Sequence, residues 1–183
     1  MELRIAQSTT YIFRKVSKYD FWADVTIRSW KGGGSIAIEA DHGTFINSWN
    51  ATGTDDIRKF LIKLQYDYFM GKAAHDHGYV TDWEATAQEV KRDILQSRRD
   101  GDISQEKARE CWDSWMAVDH DEGFYWQIRE HSELYDFVSR GDFPTKVKRS
   151  SGPDGFWTYV WPEIVAVWTK ELEEASKEEA VPA

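Results

Sequence analysis

Histidines and carboxylates that could bind a metal ion occur in two short stretches of the sequence. His75 and His77 flank an aspartate, and His120 lies within the acidic run Asp119–Glu122. Imidazole and carboxylate groups together can bind divalent cations, but the spacing here matches no metalloenzyme signature. Polar residues of these types also collect in solvated loops. The three histidines are therefore weak metal candidates, and we expect no cofactor.

Other catalytic chemistry has little support in the residue patterns. The single cysteine, Cys111, lies on the apolar side of a predicted helix, and a buried thiol is inert. No serine occurs in a Gly-x-Ser-x-Gly motif, and the 32 Asp and Glu residues are too many for one general acid–base pair to stand out. The run Gly32–Gly34 precedes a strand, so it predicts a hairpin turn and not a phosphate-binding loop. We expect a protein that is not an enzyme, with a metal-dependent enzyme as the third interpretation.

Aromatic residues are abundant, with ten Trp, eight Tyr and nine Phe in 183 residues. Several lie on the predicted N-terminal strands: Tyr11, Phe13, Trp22, Trp30 and Trp49. Basic residues stand beside them at Arg14, Lys15, Arg28 and Lys31. Rings of this kind usually fill a core, but exposed rings next to cations can stack on unpaired bases. A single-stranded nucleic-acid-binding protein that uses this sheet is therefore the alternative function.

The charge distribution favours a protein partner over nucleic acid. The formal net charge is −9, of which residues 1–50 contribute +1, residues 51–118 contribute −3 and residues 119–183 contribute −7. Phosphate binding requires a cationic surface, which makes nucleic acid an unlikely partner. A negative surface is attracted instead to basic proteins. We expect Glu130, Glu133 and Asp136 in the acidic half to contact such a partner, although the charge can equally serve solubility.

The chain carries no sign of a membrane or an export route. No run of about 18 apolar residues could span a bilayer, and the N-terminus lacks the apolar segment of a signal peptide. One cysteine cannot form an intrachain disulfide. We expect a cytoplasmic protein with no membrane partner, and the oligomeric state stays open.

The N-terminal fifty residues predict an antiparallel sheet. β-branched and aromatic residues fill four segments: Thr9–Val16, Phe21–Trp30, Ser35–Ala40 and Thr44–Trp49. In the second segment apolar and polar residues alternate, which is typical of a strand with one covered face.

From residue 54 the apolar period changes to that of a helix. Five helices are predicted. The first covers Thr54–Gly71, the second runs from Thr81, where Glu84 completes a capping box, to about Asp100, and the third begins at Asp102 or Ser104. The fourth covers Asp121–Arg140 and the fifth Phe156–Glu174, with a kink or a second helix start at Pro162. The result is a single α+β domain over residues 1–183, in which a β-meander of about four strands (1–50) packs against about five helices (51–174). Residues 175–183 are expected to form a frayed tail.

Several segments occur in an order found in one protein family. They are WKGGG followed by SIAI, then FLIKLQYDYFMGK, ILQSRRDGDISQEKARECWD and FWTYVWPEI. On these segments the chain resembles a family of small uncharacterised accessory proteins of tailed phages and prophages, and the similarity extends over about residues 20–172. The resemblance implies a role in the bacterial host cell and assigns no role to any residue. We expect a non-enzymatic accessory protein that binds a host or phage protein complex, plausibly as an inhibitor of a bacterial defence system such as CRISPR.

Overall fold

The computed structural model describes residues 7–74, 78–119, 124–139 and 144–179. The chain, expected as one domain, divides into two compact units. Unit 1 comprises Met1–Tyr79 and Arg149–Ala183, whereas unit 2 is the intervening segment Val80–Lys148. Unit 2 is therefore an insertion into unit 1.

Unit 1 contains the predicted four-stranded meander, which is confirmed. The strands are β1 Thr9–Val16, β2 Phe21–Trp30, β3 Gly33–Ala40 and β4 Gly43–Trp49. They pair antiparallel in the order β1-β2-β3-β4, and the turn between β2 and β3 has Gly32 at φ 74°. Because side chains alternate across a strand, one face of the sheet is apolar and covered while the other is open. The covered inner face contributes Val25, Ile36, Ile38 and Phe45 to the core.

The predicted helix Thr54–Gly71 is wrong, because two short helices stand in its place. They are α1 Ile57–Leu61 and α2 Tyr66–Ala73. At 100° per residue, a straight helix would put the buried pair Ile57 and Leu61 on the side opposite to the buried residues of α2. The tight turn between the two helices, where the Lys63 and Leu64 amides donate to carbonyls three residues back, turns both apolar faces inward. Phe60 and Leu64 are half-buried and pack against the edge of the core.

Helix α1 lies close to the sheet because β3 has a glycine beneath it. A Cβ atom added to Gly34 would lie 2.5 Å from Cβ of Ile57 and 2.8 Å from the Arg28 carbonyl oxygen. Gly33 faces the other side of the sheet, where its missing side chain makes room for the Trp30 indole. The glycine run is therefore a turn followed by two close-packing positions.

Short strand β5 Tyr79–Thr81 pairs with β6 Val147–Arg149 where the chain leaves unit 1 and returns to it. Unit 2 has four described helices: α3 Trp83–Asp100, α4 Gln105–Ala117, α5 Phe124–Arg129 and α6 Ser132–Val138. Ser104 caps α4 as predicted, and Gly101 ends α3 at φ 83°. The predicted cap Thr81 is wrong, since the Asp82 carboxylate accepts the capping hydrogen bond from the Ala85 amide.

Unit 2 has its own apolar core. It includes Ala87, Val90 and Ile94 of α3 together with Ile103, Ala108, Cys111, Trp115, Ile128 and Leu134. The single helix predicted over 121–140 is wrong, because α5 ends at Arg129 and α6 begins at Ser132. In one straight helix Ile128 and Leu134 would point about 120° apart, and the intervening turn lets both reach the core.

The last helical region belongs to unit 1 and is longer than predicted. It runs through α7 Ser151–Gly155, a π-helical turn over Phe156–Val160, and α8 Trp161–Glu179. The amide of Trp161 donates to the carbonyl of Phe156, five residues back, just before Pro162 removes a backbone donor. Phe156, Trp161 and Trp168 complete the core over the sheet, and the helix continues past the expected end at Glu174.

Candidate functional site

The outward sides of α5 and α6 in unit 2 present an aromatic ring among charged residues. Burial of Ile128 and Leu134 fixes the orientation of the two helices and turns Trp126, Arg129, Glu130 and Asp136 outward. We call these four residues the α5–α6 surface. Trp126 and Arg129 lie on α5, Glu130 lies in the turn that follows, and Asp136 lies on α6. Backbone hydrogen bonds of these helices and of the turn between them fix the spacing of the four residues.

Trp126 is the most exposed large hydrophobic residue in the described part of the chain, at 70%. The Arg129 guanidinium lies over its ring, 5.1 Å from the centroid. A cation–π contact of this kind restrains a ring that water would otherwise surround. Tryptophan and arginine are also the residue types that contribute most to protein–protein binding energy. Trp126 was not predicted as a site residue, although its position two residues before the buried Ile128 places it on the opposite side of the helix.

The three carboxylates predicted to contact a partner have different environments. Glu130 and Asp136 are exposed and belong to the α5–α6 surface. Glu133 instead forms an ion pair with Lys107 of α4, and its carbonyl oxygen lies 3.6 Å from the Cys111 sulfur. Glu133 therefore connects α4 to α6, whereas the other two carboxylates are available to a partner.

Unit 2 carries most of the negative charge. Its sequence contains 16 acidic and ten basic residues, a net −6, compared with −3 for unit 1. In the described part of unit 2, carboxylates of the same unit pair with five basic side chains: Arg92, Lys107, Arg109, Lys146 and Lys148. The field of unit 2 is consequently negative.

The predicted nucleic-acid surface is divided between two faces of the sheet. Tyr11, Phe13 and Trp49 pack with the core, which removes three of the five rings proposed for stacking. The other two rings face outward, but guanidinium groups lie over them. Arg14 is 5.6 Å from the Trp22 centroid, and Arg28 is 5.0 Å from the Trp30 centroid. Of the remaining cations, Lys15 is in the irregular end of β1 at φ 55°, and Lys31 is in the β2–β3 turn.

The weak metal candidates His75, His77 and His120 lie outside the described residues. Within the ranges that the structure describes, no group of three or more His, Cys, Asp or Glu residues could hold a metal ion.

A polar cluster in unit 1 has the most strongly shifted ionisation, beside a cavity of about 670 Å³. Arg58 donates to both oxygens of Asp56 and to Glu171, while the Tyr11 hydroxyl donates to Glu171 at 2.7 Å. The hydrogen bonds to Asp56 raise the pKa of Arg58. The pKa of Tyr11 is raised mainly by burial and, to a smaller extent, by its hydrogen bond to Glu171. Burial opposes ionisation of Asp56, but the hydrogen bonds from Arg58 outweigh it and lower the pKa of Asp56. Because these groups bond one another, the cluster joins β1, α1 and α8.

A model of a phage family, Phage_phiTE_072, matches residues 3–179 of the sequence. The chain belongs to this phage family. The matched range contains residues of both units, including the whole of unit 2. No curated protein and no solved structure is significantly similar to the chain. Among the described helices, none is both long and apolar enough to cross a membrane.

Proposed function

We propose that this phage protein is a non-enzymatic accessory protein that binds a basic surface on a host or phage protein complex. The observation that supports this most directly is Trp126, 70% exposed on a unit with a net charge of −6. In this proposal Trp126 enters a pocket of the partner, while Glu130 and Asp136 meet its lysines and arginines. The site of action is the cytoplasm of the bacterial host.

Electrostatics suggests which class of protein the partner belongs to. Proteins that bind nucleic acids carry dense arrays of lysine and arginine, and an ordered negative surface is attracted to the same arrays. Bacterial defence complexes that recognise foreign DNA or RNA have such surfaces. A phage protein that occupied one would block access of the nucleic acid, so inhibition of a defence complex is the biological role that we propose.

Affinity capture from phage-infected host cells tests the proposal. Tagged wild-type protein should enrich a basic partner, and Trp126→Ala should reduce the affinity by at least about 30-fold, as for a tryptophan central to an interface. Met116→Ala is the matched control, since Met116 is 55% exposed in the same unit but lies on α4. This control should leave capture unchanged.

Charge reversal separates steering from contact. Glu130→Lys with Asp136→Lys should slow association with the captured partner and flatten its salt dependence. A partner retained equally by Trp126→Ala and by the double reversal would refute the proposal. Sub-micromolar binding of a labelled single strand, abolished by replacing Arg28 and Lys31, would establish the nucleic-acid function in its place.

A further inference from the structure

The open face of the sheet in unit 1 has a regular arrangement of side chains. The strand register places the outward residues of the central part of this face in three rows across the strands, with Trp22 and Trp30 beyond these rows at opposite ends of β2. The middle row is Thr10, Thr26, Ala37 and Ile46. The row on one side contains Arg28, Ser35 and Ser48, and the row on the other side contains Ile12, Asp24, Glu39 and Thr44. We call these three rows the outer sheet face.

The outer sheet face is partly apolar. Ile46 is 53% exposed and Ile12 is 68% exposed, although both are on regular strands. The neighbours of Ile46 in the middle row are small, and the hydroxyl groups of Thr10 and Thr26 bond each other at 2.9 Å. Small side chains and paired hydroxyl groups leave little to obstruct the close approach of another surface.

Charge on the outer sheet face is separated by row. The basic Arg28 lies on one side of the middle row, while the acidic Asp24 and Glu39 lie on the other. A surface with opposite charges on either side of an uncharged row is complementary to itself when one copy is turned over. Asp24 also forms an ion pair with Arg14 on the same face, which holds its carboxylate in place and offsets part of its charge.

We propose that the outer sheet face binds the same face of a second copy of this chain, with the two-fold axis lying along the middle row. This inference concerns a different unit and partner from the proposed function and does not depend on it. Under this symmetry each middle-row residue faces its own equivalent, so Ile46 packs on Ile46. The outer rows exchange, which places Arg28 opposite Asp24 of the second copy and Glu39 opposite its Ser35.

The charges distinguish this arrangement from the other two-fold pairing of the same faces. With the axis along the strands, β2 would lie over β3 of the second copy, and Asp24 would face Glu39. Like charges placed directly opposite each other disfavour that pairing, whereas the proposed axis brings unlike charges together. The positions of the charges in the strand register therefore favour the proposed pairing over this alternative.

The available area sets the expected strength. Four strands about 4.8 Å apart and three rows about 7 Å apart give a contact that buries on the order of 1,000 Å² in total. This is at the lower limit for a specific interface. We therefore expect a reversible dimer with a dissociation constant in the micromolar range.

Sedimentation velocity from about 1 to about 200 µM protein tests the proposal. The wild-type mass should rise with concentration from 21.3 kDa towards twice that value. Ile46→Arg places two guanidinium groups at the axis and should keep the protein monomeric throughout. Val167→Arg is the control, because Val167 is 38% exposed on α8 of the same unit, and it should dimerise like wild type.

Two further variants test the symmetry and guard against misfolding. Arg28→Glu should weaken the dimer at least tenfold, because it creates a like-charge contact with Asp24. With a short bismaleimide, Ile46→Cys should cross-link to a dimer and Ile12→Cys should not, since of these two positions only 46 faces its own equivalent. Unchanged circular dichroism should accompany each variant. A wild-type protein that stays monomeric, or an Ile46→Arg protein that still dimerises, would overturn the proposal.

Discussion

The contact between Gly34 and α1 predicts opposite effects for the same substitution at two positions of unit 1. A methyl group added at Gly34 would lie 2.5 Å from Cβ and 2.7 Å from Cγ1 of Ile57, and 2.8 Å from the Arg28 carbonyl oxygen. Ile57 is fully buried and the carbonyl belongs to the sheet, so neither can rotate away. Gly71 in α2 has no atom within 4 Å of the same added methyl group.

The expected magnitudes follow from these distances. Gly34→Ala should lower the free energy of unfolding by about 1–3 kcal/mol, the range for overpacking a core. Gly71→Ala should raise it by about 0.5–1 kcal/mol, because alanine reduces the entropy lost on forming the helix. For a chain of this length each kcal/mol corresponds to about 2–4 °C in melting temperature.

Urea denaturation monitored by circular dichroism measures both variants against wild type. The two units can unfold separately, so the transition that contains unit 1 is the one to compare. If Gly34→Ala were as stable as Gly71→Ala, α1 would not be packed on β3, and the account of the glycine run would be refuted.

Two other substitutions test the core and its dependence on pH. Leu61→Ala in α1 empties a fully buried position and should cost about 2–5 kcal/mol in the same urea titration, and an unchanged midpoint would contradict the packing of α1. Burial lowers the pKa of His42 in the β3–β4 turn, where its ring packs on Phe21, and the smaller effect of Asp41 opposes the shift. The folded state therefore favours the neutral imidazole. The contribution of His42 to stability is present above its ordinary pKa of about 6.5 and is lost as the pH falls below that value. His42→Phe should make the melting temperature less sensitive to pH between about 5 and 7, and an identical pH profile would refute this assignment.

The strands were predictable because their pattern is local. Alternation in β2 fixes which residues face the core, and β1 and β2 have the bounds that were predicted. The helix breaks after α1 and α5 were not predictable in this way. In both places the apolar residues are dense enough to suggest one wide apolar stripe along a single helix. That two short helices are required becomes clear only from the positions of the elements against which these residues pack.

The candidate surface in unit 2 was predictable in charge but not in chemistry. Net acidity of the second half pointed to this region, and Glu130 and Asp136 are exposed there. The ion pair of Glu133 with Lys107 depends on how α4 packs against α6. The two residues are 26 positions apart, and the sequence does not show that the helices bring them together. The same holds for the insertion of unit 2, because the pairing of β5 with β6 joins residues far apart in sequence.

The position of unit 2 within unit 1 also determines the order in which the protein can fold during translation. Val80–Lys148 is continuous, so unit 2 has all of its residues before unit 1 does. The sheet is synthesised first, but Phe156, Trp161 and Trp168, which cover its inner face, come last. At about 5–20 residues per second, the interval between Trp49 and Trp168 is roughly 6–24 s. During that interval the inner face of the sheet has at most the cover that α1 and α2 provide, and unit 1 becomes native only after unit 2 can already be complete.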